Sequence, residues 1–303
     1  MSKNSTLNIK LMSVGGRGAN ILERLSTFDN DGIDRIAIGV ASKVFSRLQV
    51  KQKIEMIKEN GLDKADNIEL AIKRSMEDKR GEIEKSIRGA NVLFIIGNLA
   101  NDTNHYQIAQ IAKMAKENDI LTFFVGSTPF YFEGKNKIDL VERNKEYLED
   151  HVDAVLMLDS TKIMVKGIFL TDALTKVDKL LGEMVSSIVD LVMKFGVINV
   201  DFADLKSTIQ NAGEVYYNST SGTKSELEIM VKELFVKNQF AVKNIKLRKV
   251  LYVIYAGKDI LMEEISTIGE KIKENFDSNA RVIFGVVNEE KMDDKLKIVL
   301  VGC

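Results

Sequence analysis

Tryptophan is absent from this 303-residue chain, cysteine and proline each occur once, and histidine occurs twice. A single cysteine, Cys303, excludes an internal disulfide, and with only His105 and His151 beside it a zinc-type metal site is not expected. Its place at the last position fits a surface thiol, since a prenylation signal needs the cysteine four from the end. No apolar run reaches transmembrane length, and Met1-Ser-Lys-Asn-Ser-Thr6 leads into a strand pattern without a signal-like core, so the expected location is cytoplasmic. Charge of one sign is also lacking. With 43 basic against 44 acidic residues, neither nucleic acid nor an anionic membrane is an expected partner. What is present is a 45% hydrophobic chain, enough to bury one large or two moderate cores.

Short β-branched runs at 7–14, 34–40, 91–97, 120–126 and 153–159 alternate with helical patterns at 18–28, 66–88, 104–117 and 136–149. Such alternation predicts an α/β fold with a parallel sheet covered by helices on both faces. Leu174, Val177, Leu180, Leu181, Met184, Val185, Ile188 and Leu191 then recur at helical spacing for some six turns, predicting a long helix from 170 to about 194. Beyond it the sequence predicts a helix at 202–212, a polar loop at 218–222 and a helix to about 235. Strands at 248–256, 280–287 and 296–302, with a helix at 261–275, complete a smaller α/β domain.

Four segments carry more than secondary structure. Ser13-Val-Gly-Gly-Arg-Gly-Ala-Asn20 is a glycine loop opening a helix, Pro129-Phe-Tyr-Phe-Glu-Gly134 holds the only proline, Asn199-Val-Asp-Phe-Ala-Asp204 places two carboxylates at a helix start, and Ala280–Gly285 with Leu296–Gly302 closes the chain. In this order and spacing they resemble the FtsZ family of the FtsZ/tubulin superfamily over nearly the whole chain. The resemblance implies a Rossmann-like GTP-binding domain over 1–170, a central helix over 171–198 and a C-terminal domain over 199–303. It further implies GTP with Mg as the ligand, and filament formation in which the loop Asn199, Asp201, Asp204 enters the neighbour's site and positions the attacking water.

By the same resemblance the residual pocket comprises Gly15, Gly16, Gly18, Asn20, Thr103, Glu133, Lys137 and Asp178. Glycines at a helix N-terminus let backbone amides close around phosphate. Arg17 replaces a family glycine and either clamps a phosphate or points to solvent. The second phosphate loop departs further, with Ala100, Asn101, Asp102, Asn104 and Tyr106 where glycines are expected; Asp102 and Thr103 are good N-cap residues and predict a helix end capped by its own chain. The loops at 37–41 and 61–67 also depart from the family's polar and glycine-rich runs, and Leu174 stands at the position of the ring that stacks on the base.

Asp178 is either the retained guanine contact or a solvated helix residue, Glu133 and Lys137 a ribose contact or a turn, and Asp201 with Asp204 either catalytic in trans or simple capping residues. The expectation is an FtsZ-like cytoskeletal protein that assembles with itself or docks onto a true FtsZ, with no bound cofactor and with GTP binding and hydrolysis lost or impaired. The alternative is a working, polymerising GTPase. The given sequence ends just after the last strand, whereas the family usually continues to a peptide that binds membrane anchors, so no direct membrane anchor is expected.

Overall fold

The structure is a computed structural model that describes residues 7–25, 33–40, 43–57, 67–101, 103–236, 247–276 and 279–303. Two compact units divide the chain, Met1–Val185 and Ser186–Cys303.

In the first unit, β1 (Ile9–Val14), β2 (Asp34–Gly39), β3 (Gln52–Glu55), β4 (Val92–Ile96), β5 (Leu121–Ser127) and β6 (Ala154–Leu158) lie side by side in the order β3-β2-β1-β4-β5-β6. All of these pairings are parallel, with Met12 of β1 flanked by Ile36 and Ile95. Every residue of β1, β4 and β6 is buried, because helices cover both faces of such a sheet and leave no polar side to alternate with.

The helices are α1 (Gly15–Leu25), α2 (Lys43–Arg47), α3 (Ile68–Asp78), α4 (Arg80–Ile87), α5 (Asn104–Lys116), α6 (Lys135–Glu149) and α7 (Leu170–Met193). The helix expected over 66–88 is two helices broken at Lys79, whose backbone (φ −93°, ψ 0°) leaves the helical region. β3 was not expected from sequence. Only Ile54 of its Gln-Lys-Ile-Glu is buried, so an edge strand this short and polar carries no period that distinguishes it from a loop.

The second unit contains α8 (Phe202–Ile209), β7 (Gly213–Glu214), β8 (Tyr216–Thr223), α9 (Leu227–Val236), β9 (Lys249–Ala256), α10 (Met262–Lys273), β10 (Arg281–Asn288) and β11 (Lys295–Gly302). Its sheet runs β10-β9-β11-β8, with β10 parallel to β9 and β11 antiparallel to both neighbours. α9 and α10 bury Leu234, Ile268 and Ile272 against Tyr252, Ile254, Ile298 and Leu300. The polar loop expected at 218–222 is instead the middle of β8. Its serines alternate outward while Asn218 and Thr220 turn inward, and Asn218 Nδ2 donates to Leu234 O at 2.7 Å, which removes the cost of burying the amide. Among the described residues no helix is long and apolar enough to cross a membrane.

Candidate functional site

The glycine loop sits at the C-terminal end of β1, where parallel α/β sheets place their ligands. Gly15 has φ +73°, a left-handed conformation that L side chains rarely adopt. Gly18 is required for a different reason: a Cβ there would run into the carbonyl oxygen of Ile96, so the missing side chain lets α1 pack directly on β4. Gly16 faces open space, and Asn20 is half-buried.

Across from Gly15 lies the start of α5, and it is closed. Asn101 Oδ1 accepts hydrogen bonds from Thr103 N (2.8 Å), Thr103 Oγ1 (2.8 Å) and Asn104 N (3.2 Å). Two of these donors belong to the N-cap residue Thr103 and one, Asn104 N, is the first helical amide; all are held by a neutral side chain two and three residues upstream. Asn104 is itself buried; its Nδ2 donates to Asn98 O at 2.9 Å and would lie 3.1 Å from a Cβ on Gly15. The loop is pinned from behind by Asn144, whose Nδ2 donates to Leu99 O at 2.8 Å.

Self-capping was expected from Asp102, which lies outside the described residues, as do 61–66 and Ala41. Thr103 is the N-cap residue, its side chain makes no capping bond, and Asn101 instead folds the preceding loop onto Thr103 and Asn104 N. The signal was present in the sequence as an Asx residue two before Thr103, the spacing at which such a side chain meets the backbone.

Arg17 lines the cleft and turns to Asp178. Its Nη2 meets Asp178 Oδ1 at 2.8 Å, and Arg24 Nε meets Asp178 Oδ2 at 3.0 Å. Asp178, 2% exposed, is therefore not a solvated helix residue but the centre of an ion triad tying α1 to α7. Burial pushes its carboxyl above the ordinary aspartate range, and the two guanidiniums draw it back only in part. Arg24 was not singled out in the sequence, since an arginine on an amphipathic helix has no distinguishing spacing.

Glu133 closes the turn after Pro129: Oε1 accepts from Phe130 N at 3.0 Å and Oε2 pairs with Lys137 Nζ at 3.1 Å. Between these elements remains a cleft of about 210 Å³ lined by Arg17, Asn98, Ser127, Thr128, Glu133 and Leu174. That is below the 300–1,000 Å³ of ordinary ligand sites. At the glycine-loop end of this cleft Asn98 is held through its carbonyl by Asn104, which fills the space beside Gly15. Among the described residues no group of three or more His, Cys, Asp or Glu is arranged to hold a metal.

In the second unit, Asp201 and Asp204 form a reciprocal capping box on α8. Asp201 Oδ1 accepts from Asp204 N at 2.8 Å, and Asp204 Oδ2 accepts from Asp201 N at 3.2 Å. Asn199 Oδ1 accepts from Gly196 N at 2.7 Å. Asn199 and Asp201 are exposed, as are the apolar Phe195 (81%) and Val197 (69%) just before them.

The two units have the architecture of the FtsZ/tubulin fold. Superposition on a point mutant of FtsZ from M. jannaschii gives a TM-score of 0.84 at 24% identity over 98% of this chain and 91% of that one. A CetZ protofilament subunit from Haloferax volcanii gives 0.82 at 16% identity over 98% and 92%. Residues 239–303 match the FtsZ family, C-terminal domain. The cell division protein FtsZ of Aquifex aeolicus is 29% identical over 97% of this chain and 82% of its own length; that of Wigglesworthia glossinidia brevipalpis is 28% identical over 97% and 78%. The chain thus has the FtsZ/tubulin fold, and its C-terminal part matches an FtsZ-type domain.

Proposed function

We propose that this protein is an FtsZ-like cytoskeletal subunit that associates with copies of itself, or docks onto an FtsZ filament, without binding or hydrolysing GTP. The observation that carries the reading is the closed second loop: the Asn101 side chain holds Thr103 N and the first amide of α5, Asn104 N, while Asn104 fills the space beside Gly15. The Arg17–Asp178–Arg24 triad supports it, because the buried carboxylate already has its charge matched by a guanidinium beside each oxygen. The exposed loop from Phe195 to Asp204 supports assembly, since large apolar side chains this exposed mark interaction surfaces.

The protein as purified is expected to carry no guanine nucleotide and to give no heat with GTP and Mg²⁺ at tens of micromolar. Asn101→Gly with Asn104→Gly is expected to gain measurable affinity. Micromolar binding by the unmodified protein would reject the proposal. A second reading, an active GTPase with an unusual phosphate loop, is favoured by the open space at Gly16 and the remaining cleft; nucleotide-dependent sedimentation with phosphate release would establish it.

A further inference from the structure

β10 is an edge strand of the second unit's sheet, and one residue of its outer edge, Val286, is already in use. Arg281 N donates to Arg248 O, so Arg281 turns its polar backbone groups inward. Val286 turns outward: its N–H donates to Ile198 O at 2.9 Å, and its carbonyl accepts from Val197 N and Ile198 N, an antiparallel bridge to the segment before α8. Strand alternation then fixes the residues between them. Gly285 and Ile283 face β9, while Phe284 and Val282 present their N–H and C=O groups to the outside. Among the described residues nothing pairs with those four groups.

Exposed edges are ordinarily guarded by lysine, proline or a bulge. The stretch Arg281-Val-Ile-Phe-Gly285 has one charge, at its start, and β10 pairs with β9 without interruption over Arg281–Asn288. Phe284 is 38% exposed and stacks on Tyr252 at 5.8 Å.

We propose that this edge pairs antiparallel with the same edge of a second copy of the chain, about a two-fold axis passing between the two Ile283 residues. The register is self-complementary. Val282 meets Phe284 of the second copy and Phe284 meets its Val282, so the four outward groups and their four counterparts close four hydrogen bonds. Arg281 falls opposite a glycine, which avoids like charges in direct opposition. The ladder stops at Gly285 because Ile198 of the same chain occupies Val286, limiting the contact to five residues on each side. The chain's own bridge at Val286 demonstrates that this edge accepts an antiparallel partner. Such a contact is smaller than that of a permanent dimer, so it is a weak contact that becomes significant at high local concentration, as between neighbouring filaments. It is independent of what the cleft near Gly15 binds.

Residues facing each other across the axis form a non-hydrogen-bonded pair with Cα atoms about 4.5 Å apart, within disulfide range. In a Cys303→Ser background, Ile283→Cys is expected to yield a disulfide-linked dimer under mild oxidation about ten-fold faster than Arg281→Cys, whose two copies would lie roughly 13 Å apart along the strands. Adding Val282→Pro should abolish the cross-link. The N–H it removes points outward, so no bond of the fold is lost, and Phe284→Lys provides a second block should the proline variant fail to fold. Equal rates at the two cysteine positions, a cross-link that survives both blocks, or no cross-link at all would each overturn the pairing; in the last case an extended peptide of another protein becomes the occupant to test.

Discussion

Asp201→Asn separates two roles that the structure superimposes on one side chain. Asn caps a helix about as well as Asp, whereas Ala does not. Asp201→Ala removes the 2.8 Å acceptor of Asp204 N and leaves that first-turn amide to water, a loss of about 1 kcal/mol. Asp204→Ala removes the longer, exposed 3.2 Å return bond and is expected to cost about 0.5 kcal/mol. Because the two bonds belong to one motif, the double alanine variant should fall short of the sum. For a unit of roughly a hundred residues, 1 kcal/mol corresponds to about 4 °C in Tm.

The expectation is therefore a Tm lowered by about 4 °C for Asp201→Ala and essentially unchanged for Asp201→Asn. Sedimentation of the same samples reads the second role. If the carboxylate acts on a neighbouring subunit, Asp201→Asn loses assembly, or any effect on FtsZ filaments, while keeping its Tm. If it only caps α8, assembly follows Tm across the set. An unchanged Tm in Asp201→Ala would refute the capping argument itself.

Two further substitutions test packing. Tyr255 is buried with a hydroxyl that has no partner among the described residues, and its ring lies under Lys194 Nζ (5.4 Å) and Lys297 Nζ (5.6 Å); Tyr255→Phe keeps the ring and discards the unpaired oxygen, so the urea midpoint should rise by the equivalent of about 1 kcal/mol at constant m. Gly18→Ala should destabilise by about 3 kcal/mol by driving a methyl into the Ile96 carbonyl, whereas Gly16→Ala, facing open space, should change stability by less than about 1 kcal/mol. Equal effects of the two alanines in a urea titration would contradict the close approach of α1 to β4.

The parallel sheet, the long helix α7 and the outline of the smaller domain were legible in the sequence because burial on both faces, or on one helical stripe, imposes a period on side-chain type. So were the glycine loop that holds Gly15 and the capping reading of Asp201 and Asp204, which rest on local residue type and on a three-residue spacing. β3 and β8 were not legible. Each is a polar strand made regular by the neighbour it pairs with, Arg35 to Gly39 for β3 and β11 for β8, rather than by a period of its own. The site divides in the same way. That the second loop contains no glycine was visible in Asn98–Tyr106, but which side chain would close it was not, since only the folded geometry brings Asn104 against Gly15 and Asn144 against Leu99. Arg17 and Asp178 are 161 residues apart, and nothing in either segment announces the other. Their meeting was decided by the packing of α1 against α7, where a buried carboxylate without its two guanidiniums would be too costly to keep.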